Sequence, residues 1–250
     1  MTKTSIIGHR GAAGIALENT IPAFKEAIAL GVPTIEFDIR PTRDGQFVVC
    51  HDESLKRISA STRRVRDLTY SELQEIPLYN GSTVPLLSEV LDLARKAQVG
   101  VVVEVKGFGD IEALCTLLDA YADLTMTIAS FNHRQLRLMR KLRPEYTLYV
   151  AGGIHPVELL QAAKAIKAQG LDLNYMLINP ITYWFARRWG MDIMLYSVNN
   201  PFLIQLDHPW LVKLIIFLYP HVRICTNHPE RFKHLYAPRT LHGKSKSKAA

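Results

Sequence analysis

Short runs of apolar, β-branched residues alternate with amphipathic stretches from one end of the chain to the other. The runs 5–8 (SIIG), 34–39 (TIEFDI), 101–105 (VVVEV) and 125–129 (TMTIA) predict strands in the first half. The runs 146–150 (YTLYV), 174–178 (NYMLI), 192–198 (DIMLYSV) and 222–226 (VRICT) predict four more. Several are apolar almost throughout, as strands covered on both faces should be. A further run, 46–50 (QFVVC), follows the turn Arg43-Asp44-Gly45 and predicts a strand pairing locally with the second.

The stretches between carry helix punctuation. Ile21, Phe24 and Ile28 form a stripe that begins near Asn19-Thr20-Ile21-Pro22 and stops at Gly31. Ser88, Asp110 and Asn132 stand where they can cap helices over 89–98, 111–122 and 133–143. Pro156 opens another over 156–169, ahead of Gly170. Eight strands, each followed by a helix, read as an α/β fold of the (β/α)₈ TIM-barrel class. A doubly wound open sheet is the alternative, but no GxGxxG follows an early strand. Residues 52–87 form a long irregular segment rich in Ser, Thr, Arg and Pro, expected to be an insertion beside the site.

Composition agrees with one large core: 250 residues, 48% apolar and 21% charged, with none of the biases of disordered or fibrous chains. Residues 1–238 are read as a single barrel domain. The net charge of +7 could suggest nucleic acid, but residues 239–250 (RTLHGKSKSKAA) hold four cations and no acid. Without this tail, expected to be flexible, the body stands at +3, so no nucleic-acid partner is expected. Cys50, Cys115 and Cys225 show no CxxC spacing, and the N-terminus has no stretch suited to a signal peptide. Both point to a reducing, cytoplasmic setting.

A barrel places its chemistry where the strands end. The first strand ends in Gly8-His9-Arg10-Gly11, the second contains Glu36-Phe37-Asp38, and the third contains Glu104-Val105-Lys106. Residues two apart in a strand share a face, so Glu36 and Asp38 point one way, as do Glu104 and Lys106. Three carboxylates meeting in one small volume repel each other unless a cation sits among them. An all-oxygen set suits Mg²⁺, Ca²⁺ or Mn²⁺. Pairing of each carboxylate with a nearby Arg or Lys is the plainer alternative. His9 and His51 each close a β-run beside the acids and can pass protons near neutral pH. Arg10 and Lys106 add fixed positive charge. Together these groups describe a site for a phosphate ester. GxSxG is absent, and the cysteines lie inside apolar stretches.

The runs HRG (9–11), ENT-x₃-F (18–24), EFD (36–38), TRDG (42–45), HD (51–52) and EVK (104–106) resemble the glycerophosphodiester phosphodiesterase family in order and spacing. PLLSEVL (85–91) resembles the segment that ends the family's insertion. The resemblance is dense over 5–106 and looser beyond. It implies a TIM barrel in which Glu36, Asp38 and Glu104 bind one divalent cation. It also implies His9 and His51 as the acid/base pair, with Arg10 and Lys106 at the phosphate. The implied reaction converts glycerophosphodiesters, the small-molecule partners, to sn-glycerol 3-phosphate and an alcohol. Glu18 and Asn19 are expected to orient His9 or Arg10 or to cap the first helix. Where the family often shows W-T-V-N and T-D-x-P, this chain has Tyr196-Ser197-Val198-Asn199 and Thr226-Asn227-His228-Pro229. Tyr196 and Asn199 are thus supporting candidates, and Asn227 lacks the charge of an Asp. The rivals are a lysophospholipase D acting on membrane-derived lysophospholipids and a non-catalytic barrel that binds phosphodiesters.

Two features remain. The basic helix 133–143, with its stripe Leu136, Met139 and Leu142, is expected to show its charges to solvent. The segment 180–219, rich in Trp, Tyr, Phe, Leu and Ile, is read first as core packing. A homodimer face and shallow peripheral contact with anionic lipid are the alternatives.

Overall fold

Among the described residues nine strands hydrogen-bond into one sheet, and eight of them are parallel and close on themselves. The computed structural model describes residues 6–107, 109–152, 155–197 and 205–236. The strands are β1 (Ile6–Gly8), β2 (Thr34–Pro41), β3 (Phe47–Val49), β4 (Gly100–Val105), β5 (Met126–Ser130), β6 (Leu148–Gly152), β7 (Gly170–Asn174), β8 (Asp192–Tyr196) and β9 (Arg223–Thr226). The ring runs β1-β9-β8-β7-β6-β5-β4-β2, and pairing of β1 with β2 closes it. Strand β3 lies outside, antiparallel on β2 with Val49 opposite Ile39. This is the closed (β/α)₈ barrel expected from the sequence, with its local ninth strand.

The helices are α1 (Ile21–Ala29), α2 (Tyr70–Gln74), α3 (Leu87–Ala97), α4 (Ile111–Asp119), α5 (His133–Leu142), α6 (Pro156–Ile166), α7 (Pro180–Arg188) and α8 (Pro209–Leu218). Asp110 accepts from the amides of Glu112 and Ala113, and Asn132 accepts from Arg134, so both cap as expected. The cap of α1 is Thr20, which receives the Ala23 amide, and not Asn19. Ser88 is not a cap either: α3 begins at Leu87, and the Glu89 carboxylate accepts from the Leu86 amide at 2.7 Å.

The largest departure is at the sixth parallel strand of the chain. The run 174–178 is not a strand. Lys167 takes a left-handed φ of 55° and ends α6 three residues short of the expected 169, so the chain enters the sheet at Gly170. A Cβ at Gly170 would stand 2.7 Å from the Tyr149 ring, so only glycine lets that ring fill the barrel there. Asn174 then accepts from the Met176 amide and turns the chain into a 3₁₀ turn. The shift moves Asp172 onto an inward-facing strand position.

Alternation along the strands builds two layers. Outward residues such as Ile35, Phe37, Val101 and Val103 are buried under the helices, with Phe24 edge-on to Phe37 at 5.7 Å. Inward residues Ile7, Val102, Ala129, Tyr149, Met194 and Cys225 pack in the lumen. Burial of each large apolar side chain contributes about 1.5–3 kcal/mol. Glu36 lies level with Val102 and Asp172 with Met194, while Asp38 and Glu104 sit one step higher, toward the strands' C-terminal ends.

Segment 52–87 is not irregular throughout. It holds 3₁₀ turns at Leu55–Arg57 and Val65–Asp67 and the short helix α2, which Thr69 and Glu72 close with a capping box. Leu55, Val65, Leu68 and Leu73 bury against Val48 and Cys50, giving this segment a core of its own. Cys50, Cys115 and Cys225 are free and buried. On α5, Leu136 and Met139 are buried while Arg134, Arg137 and Lys141 are exposed. Core packing fails for much of 180–219: Trp184 is 57% exposed, Trp210 55% and Phe217 81%. Among the described residues no helix is long and apolar enough to cross a membrane. The tail 239–250 and Asn199 lie outside the described residues.

Candidate active site

The HRG turn is where the site begins. Arg10 and Gly11 take left-handed φ values of 51° and 86°, and a Cβ on Gly11 would stand 2.6 Å from the Ala23 carbonyl carbon. The turn aims the Arg10 amide at Glu36 Oε2, 2.9 Å away, and its guanidinium at Glu18 Oε1 at 2.8 Å and Asp38 Oδ2 at 3.2 Å. Asn19, with φ 56°, donates to Asp38 Oδ2 at 2.9 Å. Glu18 therefore orients Arg10, whereas Asn19 orients an acid.

Parallel pairing of β2 and β4 sets Asp38 beside Glu104. Glu36, Asp38 and Glu104 each offer an oxygen within 4.8 Å of the others. Lys106 Nζ lies 2.5 Å from Glu104 Oε1 and 3.1 Å from Asp38 Oδ1. The plainer expectation, that the acids pair with Arg and Lys, thus describes contacts that exist. These pairs do not satisfy the cluster. Asp38 Oδ1 is buried and accepts no well-directed hydrogen bond. Burial and the neighbouring acids, Asp38 foremost, push the Glu104 carboxyl up to about 7 and hold Glu36 well above the usual range. Burial would raise Asp38 too, but Arg10 and Lys106 hold it low. Six carboxyl groups (Glu18, Glu36, Asp38, Asp52, Glu104 and Asp172) gather with three cations (Arg10, Arg57 and Lys106). An oxygen-only set with surplus negative charge fits a hard divalent cation.

His9 and His51 reach the same space from β1 and from just after β3. His9 Nδ1 is 2.7 Å from Asn227 Oδ1, and its Nε2 is 3.9 Å from Glu36 Oε2. His51 Nδ1 is 2.6 Å from Asp52 Oδ1. Burial and then the Arg10 charge lower His9 to about 4, and burial also lowers His51.

A cavity of about 400 Å³ opens among these groups, lined by His9, Arg10, Glu36, His51, Glu104, Lys106 and Tyr196, and also by Arg57, Phe131 and Asp172. Of the residues expected at the site, Asp38, Glu18 and Asn19 stand behind this wall, and Tyr196 meets Phe131 edge-on at 6.1 Å. The sequence reading missed four contributors. Arg57, from the insertion, donates to both Glu18 carboxylate oxygens and to Asp52 Oδ2 at 2.6 Å. Phe131 follows β5, and Asp52 had been noted only as part of a motif. Asp172 is 4% exposed, its Oδ1 has no hydrogen-bond partner, and burial holds it well above the usual range. Residue spacing alone could have signalled Asp52; Asp172 needed the correct strand register.

Residues 9–222 match the model of the glycerophosphoryl diester phosphodiesterase family. A glycerophosphodiester phosphodiesterase of Caldanaerobacter subterraneus subsp. tengcongensis is 31% identical over 214 residues, 79% of this chain and 87% of that one. The lysophospholipase D GDPD1 of Homo sapiens is 33% identical over 138 residues, 49% of this chain and 43% of that one. The structure of an Oleispira antarctica phosphodiesterase in complex with the product sn-glycerol-3-phosphate superposes with a TM-score of 0.83. It is 20% identical, covers 93% of this chain and 96% of its own, and shares the fold.

Proposed function

This chain belongs to the glycerophosphoryl diester phosphodiesterase family, and from that premise we propose that it hydrolyses glycerophosphodiesters to sn-glycerol 3-phosphate and an alcohol. The observation that carries the reading is the meeting of three acids, two anchored imidazoles and two fixed cations around one small cavity. In this reading Glu36, Asp38 and Glu104 hold one divalent cation, Mg²⁺, Ca²⁺ or Mn²⁺. Bound there, the ion neutralises charge on a non-bridging phosphate oxygen.

The remaining work falls to side chains. Arg10 and Lys106 line the cavity and would meet the phosphate with fixed positive charge. Asn227 presents a carbonyl oxygen to His9 Nδ1, so Nδ1 carries the hydrogen and Nε2 is a free base. His9 Nε2 takes the proton of the attacking water oxygen as the P–O bond to the alcohol breaks. His51 supplies the proton to the leaving alkoxide in this reading, because the Asp52 carboxylate at its Nδ1 favours the charged form against the lowering by burial, whereas His9, lowered to about 4, suits the base.

A second reading, a lysophospholipase D, is favoured by the aromatic pair Phe131 and Tyr196 lining the cavity, which suits the apolar chain that such a substrate carries on its glycerol. One experiment separates the two: release of glycerol 3-phosphate from glycerophosphocholine with Mg²⁺, with Ca²⁺ and with EDTA. Cation-dependent, EDTA-sensitive release supports the first reading. Turnover of lysophosphatidylcholine alone selects the second, and silence on both substrates selects a non-catalytic barrel.

A further inference from the structure

Helices on the outside of a barrel bury one stripe and show a polar face to water. Two adjacent helices here show apolar stripes to water instead. On α7, Ile181, Trp184, Phe185 and Trp189 lie at i, i+3, i+4 and i+8, and all four are exposed. The rings of Trp184, Phe185 and Trp189 touch in sequence, with centroids 4.8 and 5.4 Å apart. On α8, Trp210, Leu214, Phe217 and Leu218 lie at i, i+4, i+7 and i+8 and are exposed, while Val212 and Ile215 fill the core side. Tyr183 joins the helices: its ring meets Tyr219 at a tilt of 55°, centroids 5.3 Å apart, and its hydroxyl donates to the Pro220 carbonyl at 2.6 Å. All three tryptophans of the chain are exposed on these two helices or at their ends.

Charge selects the occupant. The two helices carry Arg187, Arg188 and Lys213 and no acidic residue, and Lys164 stands over the Trp189 ring at 4.9 Å. Arg187 has one acid nearby, Asp192 at 3.9 Å just beyond the end of α7. In a two-fold dimer the same surface meets itself, so Arg188 and Lys213 would face like charge on helices that carry no acid. A bilayer bearing anionic lipid offers both what the aromatics need and what the cations need. Indole and benzyl rings settle at the level of the headgroups, and each nearby cation adds attraction to a negative surface.

We propose that the α7–α8 face docks the protein on anionic bilayers, lying in the interface without crossing it. Topology gives the docking a direction. Each helix begins at the end of the barrel where the strands deliver the cavity residues, so Ile181 and Trp210, in the first turns, sit on the same rim as the cavity mouth. Docking brings that mouth to a surface that holds glycerol-based phosphodiesters. Only this consequence rests on the proposed hydrolysis; the docking itself is measured without substrate.

The test is intrinsic tryptophan emission and co-sedimentation of the full-length protein, titrated with vesicles of phosphatidylcholine alone or with 30% phosphatidylglycerol. The expected result is a blue shift and sedimentation with the anionic vesicles, lost in 0.5 M salt. W184S/F217S is expected to bind at least about tenfold more weakly while hydrolysing a water-soluble glycerophosphodiester at the wild-type rate. R188E/K213E keeps the aromatics and is expected to lose the preference for anionic vesicles. Absence of any shift overturns the proposal. So does equal binding to both vesicle types. A concentration-independent dimer by light scattering that W184S/F217S converts to monomer assigns the face to a second copy and overturns it too. Loss of soluble-substrate turnover in the wild type leaves docking intact and counts against the hydrolysis alone.

Discussion

His9 Nδ1 stands 2.7 Å from Asn227 Oδ1, across the seam where β9 closes on β1. An amide oxygen can only accept, so the contact holds the imidazole in one tautomer without adding charge beside it. Asn227→Asp is expected to raise the His9 pKa and move the acidic limb of kcat/KM upward by about one pH unit. The direction follows from the role: a base works only when deprotonated. A pH–rate profile at saturating divalent cation checks it, and an unmoved limb would count against His9 as the base.

The three acids should make cation affinity steeply pH-dependent. Glu104, pushed up to about 7, must lose its proton before it can bind a cation. Glu36 is held high as well, so affinity should rise by about tenfold or more per pH unit from pH 5 toward 7. Calorimetric titration with Mg²⁺ and Ca²⁺, and the difference in Tm between loaded and stripped protein, read this out. Glu36→Gln, Asp38→Asn and Glu104→Gln should each weaken cation binding by about 10–100-fold or more. A pH-independent affinity would remove the cluster as the site.

Arg57 links the supports of both phosphate-facing ends of the site, since Glu18 orients Arg10 and Asp52 anchors His51. Its guanidinium is 41% exposed, so its loss should change stability by no more than about 1 kcal/mol. Arg57→Ala should instead lower kcat by about tenfold or more, because a misplaced acid slows chemistry more than it weakens folding. Paired kinetics and thermal melts distinguish the effects; a large fall in Tm with unchanged kcat would make Arg57 a structural clamp only.

Asp172 is expensive for the fold at neutral pH. Its carboxyl is buried, has an oxygen without a hydrogen-bond partner, and is held well above the usual range by burial. A carboxyl raised in the folded state destabilises above its unfolded pKa near 3.9 and is neutral in its effect below that value. Asp172→Asn should therefore raise Tm by a few degrees at pH 7–8 and leave it nearly unchanged at pH 3.5. Melts at the two pH values decide the matter, and a lower Tm at pH 7 would show that the carboxyl has a partner in solution.

Gly11 occupies a backbone state that side chains resist, with the Ala23 carbonyl where a Cβ would go. Gly11→Ala is expected to cost about 1–3 kcal/mol and to displace Arg10 from Glu36 and Asp38. Chemical denaturation and kcat should fall together.

Much of this molecule was legible from the chain alone, and for local reasons. Strand periodicity put Glu36 with Asp38 and Glu104 with Lys106, because a two-residue repeat holds whatever the tertiary context. Asp110 and Asn132 could be read as caps because a cap acts within three residues of itself. The family motifs lie in the same N-terminal region and carried the recognition. What failed was whatever depended on distant partners. The strand placed at 174–178 lies at Gly170–Asn174 because Lys167 ends α6 early and the Tyr149 ring, from the neighbouring strand, leaves room only for glycine at 170. That displacement hid Asp172. Arg57 looked like one more charge in an irregular loop until the fold of the insertion brought it to Glu18, thirty-nine residues away. The apolar stripes of α7 and α8 have the period of a buried face, and only the closed barrel decides which side of a helix is inside. Periodicity is a property of the chain; inside and outside belong to the packed whole.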